Sequence, residues 1–151
     1  MQARIENITA QSIVYMRQIG PYGGAQNFQL MENMKQWIRN QNLWNETGII
    51  YGIAQDDATV TPPEKCRYDV CFVTETDFQD NTIRHGKLPH GAYLVFEVLH
   101  TADDVKHFWE TIGDILAQEK RQIDENRPVL ERYQIGLVEK GYCEFCIPIL
   151  S

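Results

Sequence analysis

Ile13-Val14-Tyr15-Met16-Arg17-Gln18-Ile19 and, eighty positions on, Tyr93-Leu94-Val95-Phe96-Glu97-Val98-Leu99 follow one pattern. Each is an apolar run broken by a single charge at the same place, Arg17 in one and Glu97 in the other. Each leads through a turn or cap into a helical pattern and then into short strand patterns. The chain therefore reads as two related halves with little identity and much shared pattern. Doubled half-domains leave a crevice along their pseudo-two-fold axis, and such crevices commonly take small ligands.

Working outward, residues 2 to 19 read as one extended strand, bent near Thr9-Ala10-Gln11-Ser12 and stopped by Gly20-Pro21. Leu30, Met31, Met34, Trp37 and Ile38 recur at helical spacing. Strands are expected at 48 to 54 and 65 to 74. Residues 75 to 89 are polar and read as a linker between half-repeats of about 2 to 74 and 90 to 150. Thr101-x-x-Asp104 is a capping box for a second helix carrying Val105, Phe108, Trp109, Ile112 and Leu116. Pro128 ends helical structure, and strands follow at 129 to 136 and 142 to 149. The expected fold is α+β: tandem strand–helix–strand–strand units forming an antiparallel sheet with two long helices packed on it.

The bulk properties narrow the functions. The 151 residues suit one domain. A net charge of -7 opposes binding to a nucleic-acid backbone or an anionic membrane. No apolar run is long enough to span a bilayer, and the first residues lack a signal segment, so a cytoplasmic protein is expected. Cys66, Cys71, Cys143 and Cys146 lie in strand-like stretches at odd separations, which sends each pair to opposite faces. No zinc site is expected from them, and the four histidines have no ligand spacing. Neither a serine-type triad nor a phosphate loop is present, so no metal and no cofactor is expected.

Glu131 is the most informative single residue. Alternation along Leu130-Glu131-Arg132-Tyr133-Gln134-Ile135 puts Glu131, Tyr133 and Ile135 on one face. An inward carboxylate there must be paired, protonated, or available to a ligand. An edge strand would leave it solvated, and alternation alone leaves both readings open. Tyr15, Tyr51, Tyr93, Trp109, Tyr133 and Phe145 are the aromatic candidates for a ligand cage around it. At a spacing of eighty, Tyr51 is the counterpart of Glu131. Arg17, Glu97 and Glu144 are expected to face solvent, and Asp69 to pair with Arg67.

Five motifs in order carry a resemblance over essentially the whole chain. They are Ile19-Gly20-Pro21-Tyr22, Cys66-Arg67-Tyr68-Asp69-Val70-Cys71, Gly91-Ala92-Tyr93, Pro128-Val129-Leu130-Glu131-Arg132-Tyr133 and Glu144-Phe145-Cys146-Ile147-Pro148-Ile149. Together they resemble the GyrI-like small-molecule-binding family, whose module is also the effector-binding domain of bacterial AraC-type and multidrug-responsive MerR-type regulators. The resemblance implies a tandem βαββ fold and a lipophilic, often cationic, ligand in a central crevice. It implies a key contact from a buried glutamate, which is Glu131 here. It implies a stand-alone binder with no DNA-binding module of its own. His100-Thr101-Ala102 departs from the glycine-containing turn usual in the family. Three functions follow from the resemblance: a binder of lipophilic compounds, a cofactor-free hydrolase of cyclopropane-type toxins using Glu131 as catalytic group, and a protein-interaction inhibitor of DNA gyrase.

Overall fold

In a computed structural model that describes residues 3 to 150, eight strands form one antiparallel sheet. In chain order the elements are β1 (Ala3–Ile8), β2 (Ser12–Ile19), α1 (Ala25–Asn40), β3 (Ile49–Ala54), β4 (Arg67–Val73) and β5 (Arg84–Lys87). There follow β6 (Gly91–Leu99), α2 (Ala102–Glu119), β7 (Leu130–Gln134), α3 (Ile135–Glu139) and β8 (Tyr142–Pro148). Across the sheet the order is β1-β6-β8-β7-β3-β4-β2-β5. Read from the centre, β3-β4-β2-β5 mirrors β7-β8-β6-β1, so the strand–helix–strand–strand units meet where β3 pairs with β7.

The stretch expected to be one bent strand is two. β1 pairs with β6 of the second unit, while β2 pairs with β4 and β5 of the first. Residues 9 to 11 carry the chain between them, with Gln11 N–H donating to the Thr9 carbonyl at 2.8 Å. β5 lies inside the polar segment expected to be linker, and it borders the first unit as β1 borders the second. Each unit thus takes its edge strand from a segment outside its own βαββ core. Ile8 and Leu88, eighty residues apart, occupy matching places beside Gly91 and Gln11 and are both buried.

Both long helices cover one face of the sheet. α1 buries Leu30, Met34, Trp37 and Ile38 against Val14, Ile50, Val70 and Phe72. This is the i, i+4, i+7, i+8 stripe that makes an amphipathic helix pack. α2 packs Phe108 with Phe96 and Phe145. Its start follows the capping box: Asp104 N–H donates to Thr101 Oγ1 at 3.1 Å. The uncovered face curls on itself, gathering Ile8, Ile13, Tyr51, Ile53, Leu88, Tyr93, Val95 and Leu130 into a second core. The last part of the expected strand 129 to 136 is instead α3, which begins at Ile135.

Candidate functional site

Strand pairing decides which side chains meet Glu131. Residues directly opposite in an antiparallel pair share a face. Glu131 stands opposite Gly52 on one side and Phe145 on the other. Tyr51 stands opposite Arg132 and therefore faces the other way. The counterpart of Glu131 across the pseudo-axis is thus Gly52, at a spacing of 79, rather than Tyr51. The spacing of eighty holds in β2 and β6 but slips by one before the central strands, and one residue inverts the face.

That inversion divides the expected aromatic cage. Tyr133, Phe145 and Trp109 lie on the helix-bearing side with Glu131. Tyr15, Tyr51 and Tyr93 belong to the opposite face. Tyr51 is 1% exposed there, and burial pushes its hydroxyl up to about 12. The Tyr93 hydroxyl donates to the Pro89 carbonyl at 2.8 Å beneath the Arg127 guanidinium. Tyr15 lies under Arg17. On the α2 side of Glu131 the Phe145 ring stacks on Phe108 at 4.8 Å, and Trp109 meets it edge-on at 5.0 Å.

The Glu131 carboxylate has no cationic partner among the described residues. Oε1 accepts from the Tyr68 hydroxyl at 2.7 Å and from the Tyr133 hydroxyl at 3.1 Å. Both bonds end on the same oxygen, and Oε2 has no hydrogen bond within the described residues. Water touches part of the residue, yet protein surrounds the carboxylate on most sides. Burial is the dominant influence and raises its pKa above the ordinary glutamate value, while the two tyrosine donors pull the other way. Both tyrosine hydroxyls are in turn pushed far up by burial and by the adjacent carboxylate, so they stay protonated donors.

Gly52 makes this arrangement possible. A Cβ there would lie 2.2 Å from the Tyr68 hydroxyl and 2.5 Å from Glu131 Oε1. Glycine inside a strand often marks such a close approach.

Tyr68 and Tyr133 also line a crevice of about 430 Å³ over the central strands. Its floor includes Ile50 and Ile135, α1 supplies one wall, and α3 with His100 supplies another. The His100 ring meets Tyr133 edge-on at 5.5 Å, and burial, then Lys35, lowers its pKa. Trp44 also lines the crevice, with the Arg39 guanidinium 3.8 Å above its ring. Gly52, Tyr68, Trp44 and His100 were not among the site residues expected from the sequence, although Tyr68 stands in one of the five motifs and His100 in the atypical turn. Gly52 did carry a signal, an interior strand glycine in the segment matching the Glu131 strand.

Other charges sit differently from expectation. Arg17 grips Asp69 with two bonds of 2.7 and 2.9 Å, and Arg67 pairs with Asp56 instead. Glu144 is buried, held by Arg132 and Arg4 on the face away from the crevice. These strands face the curled core, so a lone charge there needs a partner.

Among the described residues, no group of three or more His, Cys, Asp or Glu side chains could hold a metal, and no helix is long and apolar enough to cross a membrane.

Comparison with known proteins agrees with the fold. The family model for the GyrI-like small molecule binding domain matches residues 1–150. The SPbeta prophage-derived protein YosT of Bacillus subtilis, which bears a transcriptional-regulator name, is 39% identical over 152 residues, 99% of each chain. The structure of SAV2435 bound to tetraphenylphosphonium is similar in fold, with a TM-score of 0.68 and 18% identity over 100% of this chain and 95% of that one. The C-terminal domain of EcmrR superposes with a TM-score of 0.74 at 12% identity, covering 99% of this chain and 98% of that one.

Proposed function

The chain belongs to the GyrI-like small-molecule-binding family, and from that premise we propose that it binds a lipophilic aromatic compound, cationic at one end, in the crevice over β3 and β7, with Glu131 as the polar anchor. The observation that carries this reading is a carboxylate held by two neutral tyrosine hydroxyls, with no cation beside it among the described residues. A buried anion without a counter-charge is costly, and a ligand cation relieves that cost. Tyr133 adds an aromatic ring to the same lining, which favours a cation further. The tetraphenylphosphonium in SAV2435 is a ligand of this chemical kind.

Calorimetric titration with tetraphenylphosphonium and with neutral triphenylphosphine oxide tests the reading. Glu131→Gln keeps the shape and removes the charge. Binding of the phosphonium should fall by about tenfold or more, while the oxide changes little. Equal losses for both probes, or no effect on either, would count against Glu131 as a charge contact.

A second reading rests on the same trio seen as acid–base machinery. A carboxylate with raised proton affinity beside two hydroxyl donors is suited to orienting water onto an electrophile. The water oxygen would bond to a ring carbon as the strained ring bond breaks; Glu131 would accept the water proton, and a tyrosine hydroxyl would give its proton to the departing ring atom and recover one from Glu131. On a strained three-membered-ring electrophile, Glu131→Gln should abolish turnover and spare binding of the neutral substrate. Turnover unchanged in that variant would exclude this chemistry.

A further inference from the structure

α1 presents a stripe of residues at four-residue spacing to the crevice: Asn27, Met31, Lys35 and Arg39. Its polar members are all donors. The Asn27 amide is oriented by Gly23, whose N–H donates to Oδ1 at 2.8 Å. That contact assigns the other end as Nδ2, which is buried and has no hydrogen-bond partner among the described residues. An orphaned buried donor is uncommon and calls for an acceptor. Arg39 makes no ion pair among the described residues, and its guanidinium lies over the Trp44 ring at 3.8 Å. Among the described residues Lys35 has one ion-pair contact, at 3.4 Å with Glu32, which shares the wall. The crevice therefore has two poles. The sheet contributes an acceptor, Glu131, behind Tyr68 and Tyr133, and α1 contributes the donors Asn27, Lys35 and Arg39, with the carboxylates of Glu32 on α1 and Glu139 on α3 also in the lining.

A simple lipophilic cation uses only the first pole and meets Lys35 and Arg39 as like charges. We propose that the ligand is amphoteric: a flat aromatic compound with a cationic or hydrogen-bond-donating end toward Glu131 and a carboxylate or comparable acceptor toward Arg39 and Lys35. This inference rests on the crevice being the ligand site and adds the second charge. An anion at Arg39 gains a planar two-pronged contact that Lys cannot reproduce. It also meets two positive side chains one helical turn apart.

A matched pair of fluorescent probes separates the two poles. Rhodamine 110 carries a xanthylium cation and a free carboxylate, and rhodamine 123 is its methyl ester, with the cation alone. Fluorescence anisotropy gives the affinity of each for the unmodified chain and for the Glu131→Gln, Arg39→Gln and Lys35→Met variants. Circular dichroism melts show whether each variant is folded. Both α1 positions tolerate these changes in a helix, since Gln and Met are good helix formers. The acid should bind about tenfold tighter than the ester to the unmodified chain. Arg39→Gln and Lys35→Met should erase that preference by weakening the acid alone, and Glu131→Gln should weaken both probes. Equal or tighter binding of the ester, with Glu131→Gln still weakening it, overturns the amphoteric ligand and leaves the cation site standing. Binding of neither probe, or binding indifferent to Glu131→Gln, overturns the crevice reading and this inference with it.

Discussion

Gly52 and Glu131 face each other across the central strand pair, and the absence of a side chain at one creates the place for the carboxylate of the other. The two positions are counterparts in the doubled fold, so one half provides space where the other provides charge. The same asymmetry recurs one step away. Tyr133 has a small counterpart, Ala54, in the same central strands. A site of one carboxylate and two hydroxyls thus arises in a symmetric frame without a clash.

Gly52→Ala should disturb both the fold and the site. The added methyl lands within 2.5 Å of two polar oxygens, and the backbone around it is a central strand that cannot easily shift. Overpacking of this kind costs roughly 1–3 kcal/mol. The urea midpoint should drop accordingly, and ligand affinity should fall as Glu131 and Tyr68 are pushed aside. A variant with unchanged midpoint and unchanged affinity would show that the close approach is unimportant.

The sequence showed the doubled architecture because strand and helix periodicities survive when identity does not. The edge strands were not legible as such: β1 was merged with β2 into one strand although it pairs with β6 of the other unit, and β5 is a four-residue strand inside a polar stretch, made visible only by its pairing with β2. The first two residues of α3 fell in the expected strand 129 to 136 because the alternation of Glu131 and Tyr133 continues through Ile135. The site was half legible. Alternation placed Glu131 with Tyr133, but a one-residue drift in the repeat assigned Tyr51 to the wrong face. Tyr68 could not be linked to Glu131, since the two are 63 residues apart and meet only through the order of strands.

Glu131→Gln should stabilise the protein at neutral pH. Its folded-state pKa lies above the unfolded value, because burial disfavours the charged form. In the window between those two values the folded chain holds the proton more tightly. Stability therefore falls as pH rises through that window, and the cost persists above it. Glutamine keeps an oxygen to accept from Tyr68 and Tyr133 and never ionises. The variant should melt higher than the parent at pH 7, and the gap should close below the ordinary glutamate range. A melting temperature equal to or below the parent's at pH 7 would contradict burial as the dominant influence.

Tyr68→Phe should move the acid limit of ligand binding. The hydroxyl donates to Glu131 at 2.7 Å and favours the ionised carboxylate. Its loss raises the proton affinity further. A cationic ligand needs the ionised form, so phosphonium binding weakens as pH falls through the Glu131 pKa. In Tyr68→Phe that decline should begin at higher pH, with affinity at alkaline pH largely retained. Titrations from pH 5 to 9 read the shift, and a decline that stays in place would remove Tyr68 from this role.

Arg132, next in sequence to Glu131, should govern stability and leave binding alone. Alternation turns it to the curled face, where it is 7% exposed. Its Nε donates to Glu144 at 2.9 Å, and its two terminal nitrogens donate to Glu6 at 2.7 and 3.0 Å. Arg4 also reaches Glu144, so removing Arg132 leaves that buried carboxylate partly compensated. Breaking a buried pair costs about 3–5 kcal/mol, and the Arg4 contact argues for the low end. Arg132→Met should therefore lower the urea midpoint by a stability loss of about 3 kcal/mol. The pH profile should change as well. Arg132 is the main reason the Glu6 pKa lies below its ordinary value of 4.5. A depressed carboxylate contributes stability above its unfolded pKa and loses it as pH falls through the folded one. The parent should thus show an acid-side loss below about pH 4.5 that the variant lacks in part. Phosphonium affinity, measured where Arg132→Met is folded, should match the parent, because the sheet separates this network from the crevice. A binding loss as large as that of Glu131→Gln would mean the two faces are coupled, and a midpoint equal to the parent's would mean that Arg4 alone sustains the buried carboxylate.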